Sequence, residues 1–549
     1  MTTAPTRNDL VLTGGRLLDS LTGELLPQSA LLVREGMIVM LGGDDECRAQ
    51  AASGASVIEL GGAVVSPGLV EGHLHPVTGA ERTSGVDLSG CGTLEQVRAE
   101  LQRSLPALEP GEWLRGWGLD PNCFGESPQS ADALGTELNQ VPVCIEYFDG
   151  HAILASRRAL ELAGIEGPRH FRDASEIVCD DQGRPTGLLL EDSAAAVIEA
   201  VMPRPSLEQL IALTRARFAQ MAATGITNGH AMDAEGETLE VLRRLDLEDQ
   251  LDIRFWVGPW VNAGTTAERV PELLGLHNSG GRLWRVAAAK FFLDGTIDNG
   301  TAWLREPDTQ GQSTASLWPD PQEYTAAVGA FHAAGMATAT HAIGDAAVNH
   351  ALTAVEQALA ATGMAPPTAI RHRIEHIESV DDATIARFKE LGVTPSMQPL
   401  HCTEYTRADQ SDIWSRRLGP ARAAQAFRTR DLLEACGRLV LGSDWPIAVF
   451  PPLLTMAAAR HRRPSGELSA APHTPEQALT PLQALQGMTL APAWVAGDEA
   501  VAGRVAPGMR ADLTVLADNP LTTDALELAE LPVLLTVCDG RITHRAGEL

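Results

Sequence analysis

The chain has 549 residues and a formal net charge of −29, from 42 basic and 71 acidic side chains. This excess of negative charge argues against a nucleic-acid partner and against binding to an anionic membrane surface. The length exceeds that of one ordinary domain, and the hydrophobic content of 44% can supply sizeable cores, so we expect a large domain with a smaller one.

The start of the sequence, MTTAPTRNDLVLTGG, lacks the apolar run of a signal peptide, and no apolar stretch is long enough to span a membrane. The eight cysteines are scattered and form no Cys-x-x-Cys pair. Such cysteines are typical of reduced, mostly buried thiols. We therefore expect a cytoplasmic protein without a membrane partner.

The two ends of the sequence share one pattern. Residues 9–66 contain short apolar runs broken by glycine, which are typical of strands joined by tight turns. Residues 505–521 and 532–544 repeat that pattern. We predict one small β-sandwich built from both chain ends, with residues 1–66 and 490–549 flanking a middle domain of residues 67–489.

The middle of the chain alternates between helices and short apolar strands from Leu207 onward. With the strand that ends at His75, eight candidate strands result, the other seven being residues 225–232, 251–258, 286–293, 336–341, 372–377, 393–397 and 439–443. Such alternation predicts parallel strands in an α/β fold, and eight units predict a closed (β/α)8 TIM barrel. Residues 78–202, approximately, break the alternation and predict an α/β insertion after the first barrel strand.

The first barrel strand carries a histidine pair. Its sequence, PGLVEGHLHP at residues 67–76, separates His73 and His75 by one residue. Alternate side chains of a strand lie on the same face, so both imidazoles can reach one metal ion. The spacing alone is also typical of two surface histidines.

Four further polar residues lie at or near the carboxyl ends of later strands. They are Lys290, His341, His376 and Asp444, in the fourth, fifth, sixth and eighth strands. Each one alone has an ordinary structural explanation. Because a barrel places its active site at the carboxyl ends of its strands, the six residues together favour a metal site there.

An ordered set of motifs extends over nearly the whole chain. They read PGLVEGHLHP, DGHAILASRRALELAGI, KFFLDGTIDNGTAWL, HAIGDAAV, HRIEHIE, SMQPLH, LGSDWP and APGMRADLTVLADNPL. This set resembles the amidohydrolase superfamily of metal-dependent hydrolases. Within it, the closest resemblance is to the third amidohydrolase family, which includes N-substituted formamide deformylases.

The resemblance implies two divalent metal ions. His73 and His75 would bind one ion together with Asp444, and His341 and His376 would bind the other. Lys290 would bridge both ions as a carbamate, since an ammonium group has no lone pair for a metal. Zinc suits these ligands best, with manganese, iron or nickel as alternatives.

The resemblance also implies the reaction, which is hydrolysis of a non-peptide C–N bond in an amide, N-substituted formamide, carbamate or urea. A metal-activated hydroxide would attack, with Asp444 as general base and then general acid. His151 matches a family histidine and would stabilise the oxyanion, although it can also be an ordinary loop residue. We expect Trp117, Gln398 and His401 to line the substrate pocket.

Three other residues near the motifs receive supporting roles. His230 is expected to be structural or to support a ligand, and Asp345 is expected to orient His341 or a neighbour. Glu71 stands where the family commonly has Asp, two residues before the first histidine, and could alter how that histidine is held. A group of aromatic residues hints at an apolar or aromatic substituent on the substrate, or else packs the insertion: Trp113, Trp117, Phe124, Tyr147, Phe148, Trp303 and Trp445.

Two alternatives compete with this interpretation. The first is a cyclic amide hydrolase or a deaminase of the same superfamily, and Lys290 argues against deaminases because they usually lack the bridging lysine. The second is a non-catalytic barrel that acts by assembly, which the complete set of six ligands disfavours. The expected partner is a small-molecule substrate, and a homodimer is one assembly we expect.

Overall fold

The computed structural model describes residues 8–109, 111–173, 175–366, 369–467 and 469–547. Within these ranges no helix is both long and apolar enough to cross a membrane.

Strands from both ends of the chain form two sheets. One sheet has the order Met37–Gly42, Ala30–Arg34, Leu10–Thr13 and Ser56–Glu59; the other has the order Arg16–Leu17, Val64–Pro67, Leu513–Leu516, Val533–Cys538 and Arg541–Arg545. In the second sheet, Val64–Pro67 pairs antiparallel with Leu513–Leu516, so the two chain ends are joined by backbone hydrogen bonds. One apolar cluster includes Leu12 and Val537 and draws on both sheets. The predicted bounds of this domain stay a prediction.

A separate six-stranded sheet lies inside the predicted insertion. Its strands in spatial order are Glu176–Cys179, Pro185–Leu190, Ala152–Ala155, Val143–Tyr147, Leu114–Leu119 and Val86–Asp87. Two apolar clusters belong to this part of the chain. The insertion therefore has its own core.

Eight parallel strands carry the motifs. They are Leu69–Leu74, Ile226–Ala231, Arg254–Val257, Ala288–Phe292 (with Trp284–Val286 just before it), Ala337–Ala342, Arg373–His376, Thr394–Met397 and Val440–Leu441. They pair in chain order within two sheets, and parallel bridges from Trp260 to Lys290 and from Leu74 to Trp445 link the two sheets at both junctions. Each predicted strand overlaps one of these, and the fold is mixed α/β with several sheets.

Helices follow most of these strands. In the described part of the chain the α-helices are, in order, Asp44–Gln50, Pro76–Arg82, Leu94–Ser104, Arg157–Leu162, Asp192–Glu199, Leu207–Ala223, Thr238–Leu247, Thr266–Leu276, Pro321–Ala333, Asp345–Thr362, Asp382–Leu391, Pro399–Glu404, Ile413–Leu418, Pro420–Ala423, Thr429–Cys436, Pro452–His461, Pro481–Gly487 and Leu490–Val495. The 18-residue helix Asp345–Thr362 buries Val348, Leu352, Val355 and Leu359, which share one face at helical spacing.

The first and eighth strands approach each other closely at Gly72. A Cβ atom at this position would collide with the backbone oxygen of Leu441, so only glycine fits. All six residues of Leu69–Leu74 are buried, which accounts for their mostly apolar sequence. This close approach brings His73 next to the residues that follow the eighth strand.

Candidate active site

The predicted metal ligands meet at the carboxyl ends of the parallel strands. His73 lies in Leu69–Leu74, and its Nε2 is 3.2 Å from Oδ1 of Asp444. His75 Nε2 lies 3.0 Å from the same oxygen, and His376 Nδ1 lies 3.9 Å from Oδ2 of Asp444. The His341 and His376 rings are 4.4 Å apart between centroids. Strand pairing thus brings together ligands that are distant in sequence.

Lys290 lies beside this group. Its side chain is fully buried, with Nζ 3.5 Å from Nε2 of His73 and 4.7 Å from the centroid of the Phe292 ring. Burial lowers the pKa of Lys290 to about 8, because a low-dielectric environment disfavours the charged amine. A neutral amine with a free lone pair is the form that can react with carbon dioxide.

The donor atoms fit a cation. One ligand atom from each of His73, His376 and Asp444 can be chosen so that all three lie within 4.8 Å of one another. Nδ1 of His376 is buried and has no hydrogen-bond partner, and Oδ1 of Asp444, although close to two imidazole nitrogens, makes no hydrogen bond of suitable geometry. Buried polar atoms are normally satisfied, so lone pairs that converge without a proton between them are what a metal site requires.

The backbone at two of these ligands is unusual. His376 has φ 72° and Asp444 has φ 64°, in the left-handed region that non-glycine residues seldom adopt. Such conformations cost free energy and are concentrated at functional sites. Here they turn the two side chains at the point where each strand ends.

A buried hydrogen-bond network fixes the orientation of His73 through its Nδ1. Nδ1 of His73 lies 2.7 Å from Oε2 of Glu375, and Arg373 donates to that same oxygen at 2.8 Å. Burial alone would raise the pKa of Glu375, but the charge of Arg373, together with the hydrogen bonds from Arg373 and His73, outweighs it and holds this pKa well below its usual value. His230 accepts from Nη1 of Arg373 at 2.7 Å, in the structural role expected of it.

His341 has a carboxylate neighbour that the sequence did not reveal. Asp294 Oδ1 lies 3.7 Å from Nε2 of His341, and Asp294 accepts backbone N–H groups of Trp303, Ile343 and Gly344. Asp345, which was expected near His341, accepts from the backbone of Arg305 at 2.9 Å instead.

Glu71 ties the first strand to the eighth. Its Oε1 accepts from the backbone N–H of Ser443 at 2.8 Å and of His73 at 3.2 Å. Its Oε2 is buried without a partner, and burial raises the pKa of Glu71 to about 8. The residue therefore fixes the backbone of His73 rather than supplying a ligand.

His151 approaches the ligands from the insertion. Its ring lies 4.9 Å from that of His341, and its Nδ1 is 2.7 Å from Oε2 of Glu191. Burial alone would lower the pKa of His151, but the charge and hydrogen bond of Glu191, with the charges of Asp149 and Asp192, outweigh burial and raise it to about 9. The imidazolium is therefore the stable form at neutral pH, and it can donate a hydrogen bond to an oxyanion.

Comparison with known proteins identifies the family. The model of the third amidohydrolase family, described as "Amidohydrolase family", matches residues 56–544. The chain belongs to this amidohydrolase family. It is therefore a hydrolase that acts on C–N bonds, and the resemblance found in the motifs is confirmed.

Relatives of this amidohydrolase cover nearly its whole length. It is 29% identical over 528 residues to "Putative amidohydrolase YtcJ" of Bacillus subtilis, covering 94% of this chain and 96% of that protein. It is 26% identical over 538 residues to "N-substituted formamide deformylase" of Arthrobacter pascens, covering 94% of each.

Two solved structures share the fold. Uncharacterized metal-dependent hydrolases from Pyrococcus horikoshii and Pyrococcus furiosus match with TM-scores of 0.73 and 0.70 and identities of 24% and 23%. Each match covers 94% of this chain, with 99% of the first structure and 100% of the second.

Two adjoining cavities of this amidohydrolase are lined by predicted metal ligands. They share Asp149, His151, His341, His376, Asp444 and Ile447. The first, which we call the aromatic cavity, is also lined by Phe148, Tyr405, Trp414 and Phe427. A larger cavity lies elsewhere, and none of the predicted ligands lines it.

The predicted pocket residues have different positions. His401 lines the aromatic cavity, with Nε2 3.7 Å from Oδ2 of Asp444. Trp117 lies in the strand Leu114–Leu119, and Gln398 precedes the helix Pro399–Glu404. Neither is among the described residues that line the two cavities, so their place in the pocket stays a prediction.

The aromatic lining comes mostly from residues that the sequence did not single out. Of the seven aromatic residues named above, Phe148 lines the aromatic cavity. Tyr147 and Phe124 instead belong to an apolar core of the insertion. This second position fits the packing alternative considered for these residues.

Proposed function

We propose that this amidohydrolase is a divalent-metal-dependent enzyme that hydrolyses an exocyclic, non-peptide C–N bond. The substrate class would be an amide, an N-substituted formamide, a carbamate or a urea. The observation that carries the proposal is the convergence of His73, His376 and Asp444 through buried atoms, two of which lack hydrogen-bond partners. The name of the formamide deformylase relative supports the substrate class.

We propose a (β/α)8 barrel for the eight parallel strands. The pairing order and the two bridging pairs support a closed ring. The domains would be residues 67–489 for the barrel, with the insertion at about 78–202, and residues 1–66 with 490–549 for the β-sandwich. In this arrangement the insertion sheet supplies His151 to the mouth of the barrel.

Two ions would be held, with zinc as the proposed metal. His73, His75 and Asp444 would hold one ion and His341 and His376 the other, with carboxylated Lys290 shared between them. When bound, such ions polarise the carbonyl and make a nearby water more acidic. The lowered pKa of Lys290 supports the carbamate, since only the neutral amine can form it.

Asp444 and His151 would move and stabilise charge during the reaction. As water adds to the carbonyl carbon, Asp444 would take one proton from it and hold it beside the scissile bond. The oxyanion that forms would accept a hydrogen bond from His151, which is protonated at neutral pH. When the C–N bond breaks, the proton would pass from Asp444 to the leaving amine.

The test is a hydrolysis screen combined with metal analysis. Purified protein would be assayed on N-benzylformamide, formanilide, N-acyl amino acids and arylureas, with acid and amine products identified. We expect stoichiometric metal, loss of activity on chelation and its return with zinc. The Asp444→Asn variant should lose activity by about a thousandfold or more. Protein without stoichiometric metal, or products from ring deamination, would overturn the proposal.

A further inference from the structure

The aromatic cavity has a wall built on the turn that follows the fourth strand. Thr296 Oγ1 and Asn299 Nδ2 both donate to Oδ2 of Asp149, at 3.1 and 2.5 Å. Gly300, at φ 73°, closes the turn by donating its N–H to the oxygen of Ile297 at 3.0 Å. The turn is thereby held from both sides, with Asp298 between the two anchored residues on the cavity wall.

Asp298 has a buried carboxyl oxygen with nothing to bind. The residue is 9% exposed, and its Oδ1 is buried without a hydrogen-bond partner. The other two carboxylates of this wall are in use, since Asp149 accepts from the turn and Glu378 accepts from Trp414 Nε1 at 2.7 Å. Burying an unsatisfied carboxyl group costs free energy unless a bound partner compensates it.

The charge of the wall indicates what that partner is. Asp149, Asp298 and Glu378 line the same cavity, and its described lining contains no lysine or arginine. The His151 imidazolium also lines it but is already paired with Glu191 through its Nδ1. Burial, followed by the charges of Asp149 and Glu378, raises the pKa of Asp298 well above its ordinary value. A cation beside Asp298 would favour its ionised form and offset the repulsion from the neighbouring carboxylates, whereas an anionic group would increase that repulsion.

The remaining walls suit the same ligand. The rings of Phe148 and Tyr405 stack with centroids 3.8 Å apart, and those of Trp414 and Phe427 lie 5.0 Å apart. Aromatic faces attract cations and also cover apolar carbon atoms next to them. Because His341, His376 and Asp444 line the same cavity as Asp298, one bound molecule can contact both Asp298 and the proposed metal ligands.

We infer that the substrate of this enzyme carries a cationic amine, which Asp298 binds in the aromatic cavity while the scissile C–N bond lies at Asp444. The inference rests on the proposed function for the identity of the bond. The inference adds that the part of the substrate away from the scissile bond is positively charged, and that Asp298 selects for this charge. Asp298 is thus a specificity-determining residue.

The test uses three matched substrates and the metal-loaded enzyme. They are N-[4-(aminomethyl)benzyl]formamide, which is cationic at neutral pH, its neutral 4-(hydroxymethyl) analogue and its anionic 4-carboxy analogue. We expect kcat/KM for the cation to exceed that for the alcohol at least about tenfold, a size typical of one charge-assisted hydrogen bond, with the carboxylate lowest. A ratio of one or less between cation and alcohol would overturn the inference.

The Asp298→Asn variant tests whether Asp298 is responsible for the preference for the cationic substrate. In this variant we expect the ratio of kcat/KM for the cation to kcat/KM for the alcohol to fall to within about threefold of unity. The reason is that the amide of Asn keeps the shape of the side chain and removes its charge. Glu268→Gln is the control, since it removes the same charge from an exposed position on the helix Thr266–Leu276. Its ratio should equal that of the wild type. An unchanged ratio in Asp298→Asn would contradict the inference, and Asp298→Ser replaces that variant if it does not fold.

A binding measurement separates this inference from the proposed function. If none of the three formamides is hydrolysed, the proposed bond is wrong, and calorimetry with 4-(hydroxymethyl)benzylamine and 1,4-benzenedimethanol then tests the cavity directly. The cation site would be supported if the wild type binds the amine more tightly than the diol and if the affinity for the amine falls about tenfold in Asp298→Asn. Equal affinity of the two compounds, or equal affinity in the variant, would overturn it.

Discussion

Nδ1 of His73 lies 2.7 Å from Oε2 of Glu375, and both side chains are fully buried. Because the pKa of Glu375 is held low by Arg373 and His73 against the effect of burial, this carboxylate accepts the bond and His73 carries its proton on Nδ1. Nε2 then presents a lone pair toward Asp444 and Lys290. One hydrogen bond therefore selects the tautomer that a metal ligand needs.

Replacing Glu375 with Gln should weaken metal binding about tenfold to a hundredfold. The amide can still accept from His73, but it loses the charge that makes the imidazole a stronger ligand and that pairs with Arg373. Competition with a fluorescent zinc chelator would measure the affinity. Glu356→Gln, which removes an exposed carboxylate paired with Arg387, is the control. Equal affinities for the Glu375 variant and the wild type would refute this role.

Carboxylation of Lys290 should depend on pH in a defined direction. Burial lowers the pKa of this amine from 10.5 to about 8, so the neutral form becomes abundant as the pH rises through about 8. In metal-free protein at a fixed concentration of dissolved carbon dioxide, the rate of reconstitution with zinc should rise from about pH 6 and level off above about pH 9.

The measurement follows metal uptake and the incorporation of isotope-labelled carbon dioxide. Lys290→Met should take up no label and should bind fewer ions, since it cannot form the carbamate. A reconstitution rate that is flat over this range, or label uptake equal to that of the variant, would exclude carboxylation at this position.

The strands and the polar side chains at their ends could be predicted because the signals are local. An apolar strand that ends in a histidine, lysine or aspartate is visible in a few consecutive residues, as at His73 and Asp444. The parallel order of strands then determines that their ends meet. Sequence reasoning therefore named side chains that the structure brings together, and their role as metal ligands stays a prediction; their contacts arise from pairing between strands far apart in the chain.

The supporting carboxylates could not be predicted because their partners are distant. Glu375 contacts a histidine 302 residues away, and Glu191 contacts one 40 residues away. The RIEH sequence of the sixth strand offered one unused signal, since two charged residues on one face of a buried strand need partners. The aromatic lining was missed because Tyr405, Trp414 and Phe427 lie in segments far from the insertion.

The Glu71→Gln substitution should change how the stability of the metal-free protein depends on pH. Burial raises the pKa of Glu71 from 4.5 to about 8, so between these values the folded state keeps a proton that the unfolded state releases. The contribution of this group to stability is therefore full below about pH 4.5 and decreases as the pH rises toward about 8. Glutamine removes the titration.

Thermal melting would measure this effect. The difference obtained by subtracting the Tm of the wild type from the Tm of the variant should increase as the pH is raised from about 5 to about 8.5. The exposed Glu268→Gln variant should show a constant difference over the same range. A constant difference for the Glu71 variant would mean that its carboxyl group titrates normally in the folded protein.

The pair of His151 and Glu191 should set the alkaline limit of activity. Against burial, the neighbouring carboxylates, Glu191 foremost, raise the pKa of His151 to about 9, so the imidazolium donor is present at neutral pH and is lost as the pH rises through that value. Replacing Glu191 with Gln removes its charge, and the alkaline limb of the kcat profile should therefore move to lower pH.

His151→Asn should lower kcat about a hundredfold with a smaller change in KM, and the alkaline limb of the profile should disappear. The comparison requires full pH profiles of wild type and both variants at equal metal content. If the limb stays in place in Glu191→Gln, or if His151→Asn keeps the wild-type profile, His151 does not act as a charged donor in the reaction.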